Sequence, residues 1–266
     1  SIEAVVTPWL ALETVLVEAI RGGLDQYVEI ASRMFNVAYD QVTDNMRSVG
    51  KVCVLACGFA GGKGALLNMA TNYNMDLRED TAQKDVEMFR AARPTLVACW
   101  NEFQKAAVAA LDLKADVVPV GNAKSTTFAK EGGNLVMRLP SGRKIYYPNA
   151  FMHYGMTPWG ANKLQPHYFT KNSVTHKWEA RTMTGGNFFQ NAVQGIARDL
   201  LTTAQLRLEK AGYPICLSTH DECGGVYPDD PMYNLKNFLK VMTENPRWAA
   251  DMPLEADGWE GQRYRK

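Results

Sequence analysis

The sequence predicts an α+β fold with a helical first half and a mixed second half. Three observations support this prediction. Apolar residues recur at helical spacing as far as residue 112. Two runs rich in β-forming residues, 135–139 and 144–147, then flank a Pro-Ser-Gly-Arg turn. Finally, a long helical stretch that follows Gly185-Gly186-Asn187 and runs to about Lys210 precedes two short apolar runs that surround an acidic turn.

The first half is expected to be helical almost throughout. Helical spacing of apolar residues predicts helices over 2–20, 24–35 and 65–73, and the same period continues over 81–112. Thr43 is a good N-cap for a helix that runs to about Cys57 and ends at Gly58. Within 81–112, Pro94 marks the break between two helices.

The second half is expected to contain short strands, loops and two helices. Residues 117–133 are rich in small polar side chains and residues 151–166 show no regular period, so both stretches are expected to be irregular. One helix is predicted to follow Gly185-Gly186-Asn187 and to run to about Lys210, before Gly212 and Pro214, and another is predicted over 235–243. Strands are predicted at 135–139, 144–147, 167–170, 178–182, 215–219, 223–227 and 254–259.

Composition excludes several classes of protein. The formal net charge is +1, so phosphate binding must depend on local clusters of cations rather than on bulk attraction. No window of about 18 uncharged apolar residues occurs, so no membrane span and no membrane partner is expected. The chain lacks a basic leader and does not begin with Met, which predicts a processed product or a fragment in the cytoplasm.

The cysteines show no metal-binding or disulfide pattern. Their number is odd and their positions are scattered, which favours buried thiols in a reducing compartment. The five cysteines are Cys53, Cys57, Cys99, Cys216 and Cys223.

One face of the helix that Thr43 begins has the chemistry of a nucleotide site. Arg47, Lys51, Leu55 and Phe59 are each four residues apart, so they lie on one side of a helix. Two cations at one end could hold a polyphosphate, and the apolar and aromatic residues could contact a flat group. A nucleoside triphosphate has this shape. The alternative is a solvated face that continues into the core.

The second group of chemical interest is His220-Asp221-Glu222. Two adjacent carboxylates stand at a tight turn between two apolar runs, where they could be presented to a divalent metal. The alternative is that both acids are ordinary turn residues.

Together these residues resemble conserved motifs of family A DNA polymerases, the bacterial polymerase I type. Phage members commonly show R-x-x-G-K-x-x-x-L-x-x-G-[YF]-x-G-G-x-G-A in motif B, the fingers helix, and this sequence matches it from Arg47 to Ala65. The stretch His220-Asp221-Glu222 resembles motif C. Residues 27–35, 138–148, 191–199 and 260–266 also resemble phage members, so the resemblance covers nearly the whole chain in order.

The resemblance implies template-directed DNA synthesis with two Mg²⁺ ions. In this family Asp221 would be a metal ligand, Glu222 would assist it, and His220 would position the primer terminus. Arg47 and Lys51 would bind the β- and γ-phosphates of a dNTP, and Lys51 would also act in catalysis. Transfer of the nucleotidyl group needs metals about 3.5–4 Å apart that stabilise the attacking and leaving oxygens.

The same resemblance assigns further nucleotide contacts. Leu55 would pack against the sugar or base, and Phe59 near the templating base. Glu3 matches the position that blocks a ribose 2′-hydroxyl. Tyr27 falls where a phosphate contact is expected, although an aromatic residue there is more often a packing residue.

Primer-template DNA is the implied macromolecular ligand. Gln194 would contact DNA in the minor groove near the primer end, and spacing leaves open whether Gln190 or Asn191 joins it. These positions would otherwise be solvent-facing on a long helix.

The resemblance also predicts a divided enzyme. The family's motif A reads D-x-S-x-I-E, and Ser1-Ile2-Glu3 resembles its end, so the Asp would come from outside this sequence. A partner chain would supply that Asp and the thumb, which is absent here. The implied division is palm at 1–19, fingers at 20–165 and palm at 166–266. The alternatives are a non-catalytic DNA- or nucleotide-binding module and, less favoured, a metal-dependent phosphohydrolase.

Overall fold

The computed structural model describes residues 2–112, 116–156, 162–228 and 230–263. Its first half is helical, as predicted. The helices are α1 (Glu3–Leu10), α2 (Thr14–Arg21), α3 (Gln26–Phe35), α4 (Asp44–Cys57), α5 (Lys63–Asn72), α6 (Glu79–Ala92) and α7 (Pro94–Asp112). Short 3₁₀ turns lie at Tyr39–Gln41, Asn122–Lys124 and Arg247–Ala249.

The prediction of a single helix over 2–20 is wrong. The chain breaks between α1 and α2 because Leu12 adopts a left-handed backbone, with φ of 59°, which an α-helix cannot include. The break places the carboxylate of Glu13 against the buried guanidinium of Arg93, with 3.0 Å between Glu13 Oε1 and Arg93 Nε. Both helices bury apolar residues, so their combined pattern imitates one longer helix.

Other helix signals in the first half are confirmed. Thr43 caps α4 by accepting a hydrogen bond from the Met46 N–H at 3.3 Å, and the helix ends at Cys57. Pro94 begins α7 directly after α6, as its fixed φ and missing N–H favour.

Residues 117–133 are not irregular, which corrects the sequence prediction. They contain β1 (Val118–Val120) and β2 (Thr126–Glu131), which pair with β3 (Asn134–Arg138) and β4 (Lys144–Tyr147) in an antiparallel sheet of order β1-β2-β3-β4. The predicted hairpin around Pro140 is confirmed as β3–β4. Thr126 and Phe128 alternate with less buried residues on β2, and this pattern is too short to identify a strand from sequence.

Residues 151–166 are also more regular than expected, except that 157–161 lie outside the described residues. Here β5 (Phe151–Met156) pairs with β6 (Asn162–Lys171), which in turn pairs with β7 (Trp178–Thr182). All pairings are antiparallel. The expected division between residues 165 and 166 lies inside β6. The strand predicted at 178–182 is confirmed as β7, and the one predicted at 167–170 is confirmed as the second half of β6. Sequence missed β5 and the first half of β6 because much of the sheet is solvent-exposed, so burial imposes little hydrophobic alternation.

The last part of the fold combines a long helix with a hairpin. Helix α8 (Gly185–Lys210) is followed by β8 (Ile215–Thr219) and β9 (Glu222–Gly225), which form an antiparallel pair, and then by α9 (Leu235–Met242). The strand predicted at 254–259 is wrong, because those residues carry no strand pairing in the described part of the chain. A strand needs a neighbour to satisfy its backbone groups, and alternation alone cannot provide one.

Two hydrophobic clusters hold these elements. The large one joins α1, α4, α7 and α8 with the four-stranded sheet, and includes a chain of edge-on rings from Phe103 to Phe128, Phe188 and Tyr147. The small one lies beneath the β8–β9 hairpin and consists of Leu208, Tyr213 and Phe238. Among the described residues, no helix is both long enough and apolar enough to cross a bilayer.

Cysteine burial agrees with the prediction at three positions. Cys53, Cys57 and Cys99 are buried, and burial raises the pKa of the Cys99 thiol to about 12. Cys216 is exposed on β8, so the expectation of a buried thiol is wrong there. A strand of a two-stranded hairpin has one face on the core and one face in solvent, and sequence does not distinguish the two.

Candidate active site

The cationic face of α4 is built by a close approach to α3. Gly50 lies on the buried side of α4, and a Cβ placed there would stand 2.9 Å from the Tyr27 carbonyl oxygen. The absence of a side chain therefore lets the two helices touch. This contact brings Tyr27 of α3 beside Arg47 and Lys51 of α4.

Arg47, Lys51 and Tyr27 form one cluster, as their predicted roles require. The guanidinium carbon of Arg47 lies 5.6 Å from the centroid of the Tyr27 ring, and Lys51 Nζ lies 6.0 Å from it. Lys51 Nζ also lies 5.0 Å from the Tyr73 ring. Cation–π contacts of this kind hold long side chains in place while leaving their N–H groups free to donate.

Asp25 is the residue that the sequence interpretation missed. Its Oδ1 caps α3 by accepting hydrogen bonds from the N–H groups of Tyr27 at 2.8 Å and Val28 at 3.3 Å. Its Oδ2 accepts from Arg47 Nε at 2.8 Å and Arg47 Nη2 at 2.6 Å. An Asp directly before the Gln26–Phe35 helix is an N-cap signal, but its pairing with Arg47 is long-range.

The electrostatics of this cluster follow from these contacts. Burial of the Asp25 carboxyl tends to raise its pKa, but hydrogen bonds from Arg47 and from two backbone N–H groups outweigh burial and lower the pKa. Burial, with the neighbouring Tyr73 and Asp25, raises the pKa of the Tyr27 hydroxyl. Asp25 is therefore an anion and Tyr27 a neutral hydrogen-bond donor near pH 7. The cluster already holds one anionic group against Arg47.

Leu55 and Phe59 continue the same side of α4 toward α8. Leu55 is half-buried and lies outside the core clusters, whereas Phe59 packs on the large cluster, with its ring centroid 6.2 Å from that of Phe189. A Cβ on Gly186 would stand 2.5 Å from the Phe59 carbonyl oxygen. The end of α4 thus touches the start of α8.

Helix α8 leads from this contact to the hairpin. Arg198 Nη1 and Gln205 Nε2 donate to the Ser218 hydroxyl of β8, at 3.5 Å and 2.7 Å. Phe189 and Arg198 are nine positions apart, which corresponds to about 14 Å along a helix axis. The end of α4 and the β8–β9 hairpin therefore contact α8 at different points along its axis. Within the described part of the chain, no hydrogen bond, ion pair or ring contact joins Arg47 or Lys51 directly to the hairpin.

The DNA-contact candidates differ in their surroundings. Gln194 is exposed and Gln190 is half-buried, and they are four residues apart on one side of α8. The Asn191 side chain instead donates to the Tyr147 hydroxyl at 3.0 Å. Asn191 thus connects α8 to β4 inside the protein.

The hairpin presents its acids at a two-residue turn. Thr219 pairs with Glu222, which leaves His220 and Asp221 as the loop, and His220 has a left-handed backbone with φ of 50°. His220 Nδ1 lies 3.2 Å from Asp221 Oδ1, and the His220 ring and Glu222 are exposed. The acids are accessible to a ligand from solvent.

The chemistry of these groups fits part of a magnesium site. Carboxylate oxygens are the ligands that Mg²⁺ prefers, and Asp221 and Glu222 are not paired with Lys or Arg among the described residues. However, no cluster of three or more His, Cys, Asp or Glu with metal-binding geometry occurs in the described ranges. The hairpin can supply some ligands, and further ones would have to come from elsewhere.

Glu3 is half-buried at the start of α1, a helix that contacts α8. No hydrogen bond or ion pair joins Glu3 to another part of the described structure. Its position is thus beside the helix that carries the other candidates, without a defined contact to them.

The chain is similar in sequence to part of one DNA polymerase and in fold to part of another. It is 33% identical over 276 residues to a DNA polymerase of Bacillus phage SP02, and this alignment takes in 100% of the chain and 40% of that protein. It shares a fold with the POL domain of Pol1 from M. smegmatis, solved in complex with DNA primer-template and dNTP, with a TM-score of 0.53 and 18% identity over 96% of this chain and 37% of that chain. No protein-family model matches. The chain spans less than half the length of both proteins.

Proposed function

We propose that this chain carries out template-directed DNA synthesis. The support is its sequence similarity to part of a phage DNA polymerase and its fold similarity to part of the Pol1 POL domain. The reaction is attack of a primer 3′-hydroxyl on the α-phosphate of a dNTP. The observation that carries the proposal is the gathering of Arg47, Lys51 and Tyr27 into one cluster at the α3–α4 contact.

The cluster is the proposed triphosphate site. Arg47 offers a planar fork that suits two phosphate oxygens, and Lys51 offers a compact charge for a neighbouring phosphate. In this structure Asp25 Oδ2 accepts hydrogen bonds from Arg47 Nε and Arg47 Nη2, and a phosphate oxygen could accept the same two bonds. An incoming triphosphate therefore competes with Asp25 for Arg47, while the neutral Tyr27 hydroxyl can donate to a phosphate.

The C-terminal end of the same side of α4 is the proposed site for the sugar and base. Leu55 is available for such a contact because it is half-buried outside the core. Phe59 serves both packing and the base, because it is anchored on Phe189 and remains partly exposed. Glu3, which we propose blocks a ribose 2′-hydroxyl, stands on the helix that packs against α8.

Asp221 and Glu222 are the proposed magnesium ligands of this chain. When bound, a pair of Mg²⁺ ions stabilises the negative charge that builds up on the reacting oxygens. Asp221 would contribute the main carboxylate and Glu222 a weaker one, and the exposed His220 ring would meet the primer terminus. Lys51 would help to neutralise the leaving pyrophosphate.

DNA contact is proposed for the exposed side of α8. Gln194 and Gln190 share that side, and we favour Gln190 over Asn191 as the second contact because Asn191 is already bonded to Tyr147. Amide side chains in the minor groove would recognise duplex shape rather than sequence, and pairing with the template would select the base.

A two-metal site of this kind would need at least one acid in addition to Asp221 and Glu222. We propose that a preceding partner chain provides it, together with a thumb, in the manner of a divided polymerase. Support comes from the phage relative, which extends well beyond the 40% that aligns here. In this arrangement residues 1–19 and 166–266 form the palm, residues 20–165 form the fingers, and the protein works in the host cytoplasm.

Primer extension tests the proposal. The chain is combined with its upstream polymerase segment, a primer-template, dNTPs and Mg²⁺, and Asp221→Asn is compared with Asp257→Asn, which changes an exposed carboxylate outside the hairpin. We expect loss of several kcal/mol of transition-state stabilisation, or at least about a hundredfold in rate, only for Asp221→Asn. Equal rates would refute the assigned role. Binding of DNA and dNTP without extension would favour a non-catalytic module, and release of phosphate by the chain alone a phosphohydrolase.

A further inference from the structure

A long stretch of this chain has no negative charge. Between Glu131 and Glu179 the sequence contains six Lys or Arg and no Asp or Glu, although the whole chain has a net charge of only +1. Arg143 pairs with Asp199, and Lys144 pairs with Glu131. The lysines on the β5–β7 sheet have no ion pair within the described residues. Two lysines of this stretch, Lys163 and Lys171, therefore stand unpaired on that sheet in the described part of the chain.

Strand pairing assigns the side chains of this sheet to its two faces. Phe151 pairs with His167, and Lys171 pairs with Trp178. Directly paired residues share a face, and alternate residues along a strand stay on it. One face, here named the aromatic–lysine face, consists of Phe151, His153, Lys163, Phe169, Lys171 and Trp178. Glu179, the one acid of these strands, belongs to the opposite face because it pairs with Thr170.

Three rings on the aromatic–lysine face, those of Phe151, His153 and Phe169, form a row. The Phe151 ring lies 6.2 Å from the His153 ring and 5.9 Å from the Phe169 ring. Trp178 is the diagonal neighbour of Phe169 across the β6–β7 pair, within reach for large side chains. His167 is a buried member of the same face, because it pairs directly with Phe151; its ring lies 5.6 Å from the Phe151 ring, and its Nε2 is hydrogen-bonded to the Thr182 hydroxyl at 2.7 Å.

These rings do not belong to the core. Tyr168, on the opposite face, packs against Tyr147 with ring centroids 5.4 Å apart and joins the large cluster, whereas Phe169 and Trp178 do not. The Trp178 side chain is 66% exposed. Large exposed aromatic residues beside unpaired lysines need a partner that is flat and anionic.

We propose that the aromatic–lysine face binds single-stranded DNA. Unpaired bases can stack on a row of aromatic rings, and Lys163 and Lys171 can contact the phosphates on either side. A duplex hides its base faces, and an acidic protein surface offers no flat groups for the row of rings. The choice of DNA as the nucleic acid rests on the proposed polymerase function.

The sheet offers closely matched control variants. Tyr154 is 63% exposed on the opposite face of β5, so Tyr154→Ala removes an equally exposed ring, and Arg181→Ala removes a cation from the opposite face of β7. The assay measures binding of a fluorescein-labelled oligothymidine of about 16 nucleotides to the full chain by fluorescence anisotropy. No primer, dNTP or metal is present, so failure of the polymerase proposal leaves this test intact.

We expect Phe169→Ala and Trp178→Ala each to weaken binding between about fivefold and about a hundredfold, as loss of base stacking does, while Tyr154→Ala leaves it unchanged. A plot of log affinity for the oligonucleotide against log salt concentration has a negative slope. Lys171→Ala should make this slope less steep by about 0.7, and Arg181→Ala should leave it unchanged. A duplex competitor should compete less well than the single strand.

The proposal is overturned if Tyr154→Ala weakens binding as much as Trp178→Ala, or if duplex competes as well as single strand. It is also overturned if the Phe169 and Trp178 variants bind the oligonucleotide normally and instead lose association with the upstream polymerase segment. Thermal unfolding of all variants separates these results from a folding defect, because each substituted ring is outside the core clusters.

Discussion

Replacement of Asp25 by Asn tests whether this carboxylate competes with the triphosphate for Arg47. The substitution keeps an oxygen that can cap α3, because Asn is as good an N-cap as Asp, and it removes the negative charge that faces Arg47. Arg47 is then free for a phosphate. We therefore expect tighter dNTP binding, even though a hydrogen-bonded acid has been removed.

The size of the effect follows from the exposure of the pair. The Arg47 and Asp25 side chains are 41% and 34% exposed, so solvent screens their attraction and the pair contributes about 0.2–1 kcal/mol. If the triphosphate must break this pair, Asp25→Asn should tighten dNTP binding between about 1.4-fold and about fivefold. The free energy of unfolding should fall by no more than about 1 kcal/mol. Asp25→Ala, which also loses the cap, should cost about 0.5–2 kcal/mol more.

Calorimetric titration of dNTP into each variant measures the affinity. Glu29→Gln is the matched control because it breaks the Glu29–Arg33 ion pair on the same helix, away from Arg47. Weaker dNTP binding by Asp25→Asn would refute competition and would show that Asp25 positions Arg47 instead.

The pH dependence of stability gives a second test of the Asp25–Arg47 ion pair. The folded-state pKa of Asp25 lies below the ordinary value of 3.8, so its contribution to stability is complete above 3.8 and is lost as the pH falls through the folded pKa. Asp25→Asn should therefore lose less stability than the wild type below pH 4, as measured by urea unfolding. If the wild type and Asp25→Asn lost the same stability below pH 4, the Asp25–Arg47 ion pair would be contradicted.

Two further substitutions test the packing that supports the site. Gly50→Ala should lower the free energy of unfolding by up to about 2 kcal/mol, because the new methyl meets the main chain of α3, whereas Gly64→Ala, with open space, should be neutral or stabilising in chemical denaturation. Glu13→Gln should cost about 3–5 kcal/mol because it leaves the buried Arg93 charge unpaired, and the exposed Glu102→Gln should change the melting temperature very little. Equal effects within either pair would contradict the packing described.

The residues that resemble polymerase motifs could be found from the sequence because the pattern is local. The positions of Arg47 and Lys51 on one side of α4 follow from helical spacing, and Thr43 and Pro94 act on their immediate neighbours. The turn at His220 and Asp221 is set by the short runs on both sides. The resemblance to family A polymerases supplied the proposed roles of these residues.

Contacts between residues far apart in the chain could not be predicted from local sequence patterns. Asp25 and Tyr73 have no sequence signal that connects them to Arg47 or Lys51, and the aromatic–lysine face exists only because β5, β6 and β7 pair in one register. The break at Leu12 depends on a backbone conformation that neighbouring apolar residues conceal.

By itself, the sequence determined that α4 begins after Thr43 and α7 at Pro94, which residues share the cationic face of α4, and which acids stand at the hairpin turn. These are properties of the chain over a few residues, and spacing and capping decide them. Only the tertiary structure decided which anion holds Arg47, which strands pair, and which rings remain exposed. Such contacts join residues far apart in the chain, so they depend on how whole elements pack rather than on any local pattern.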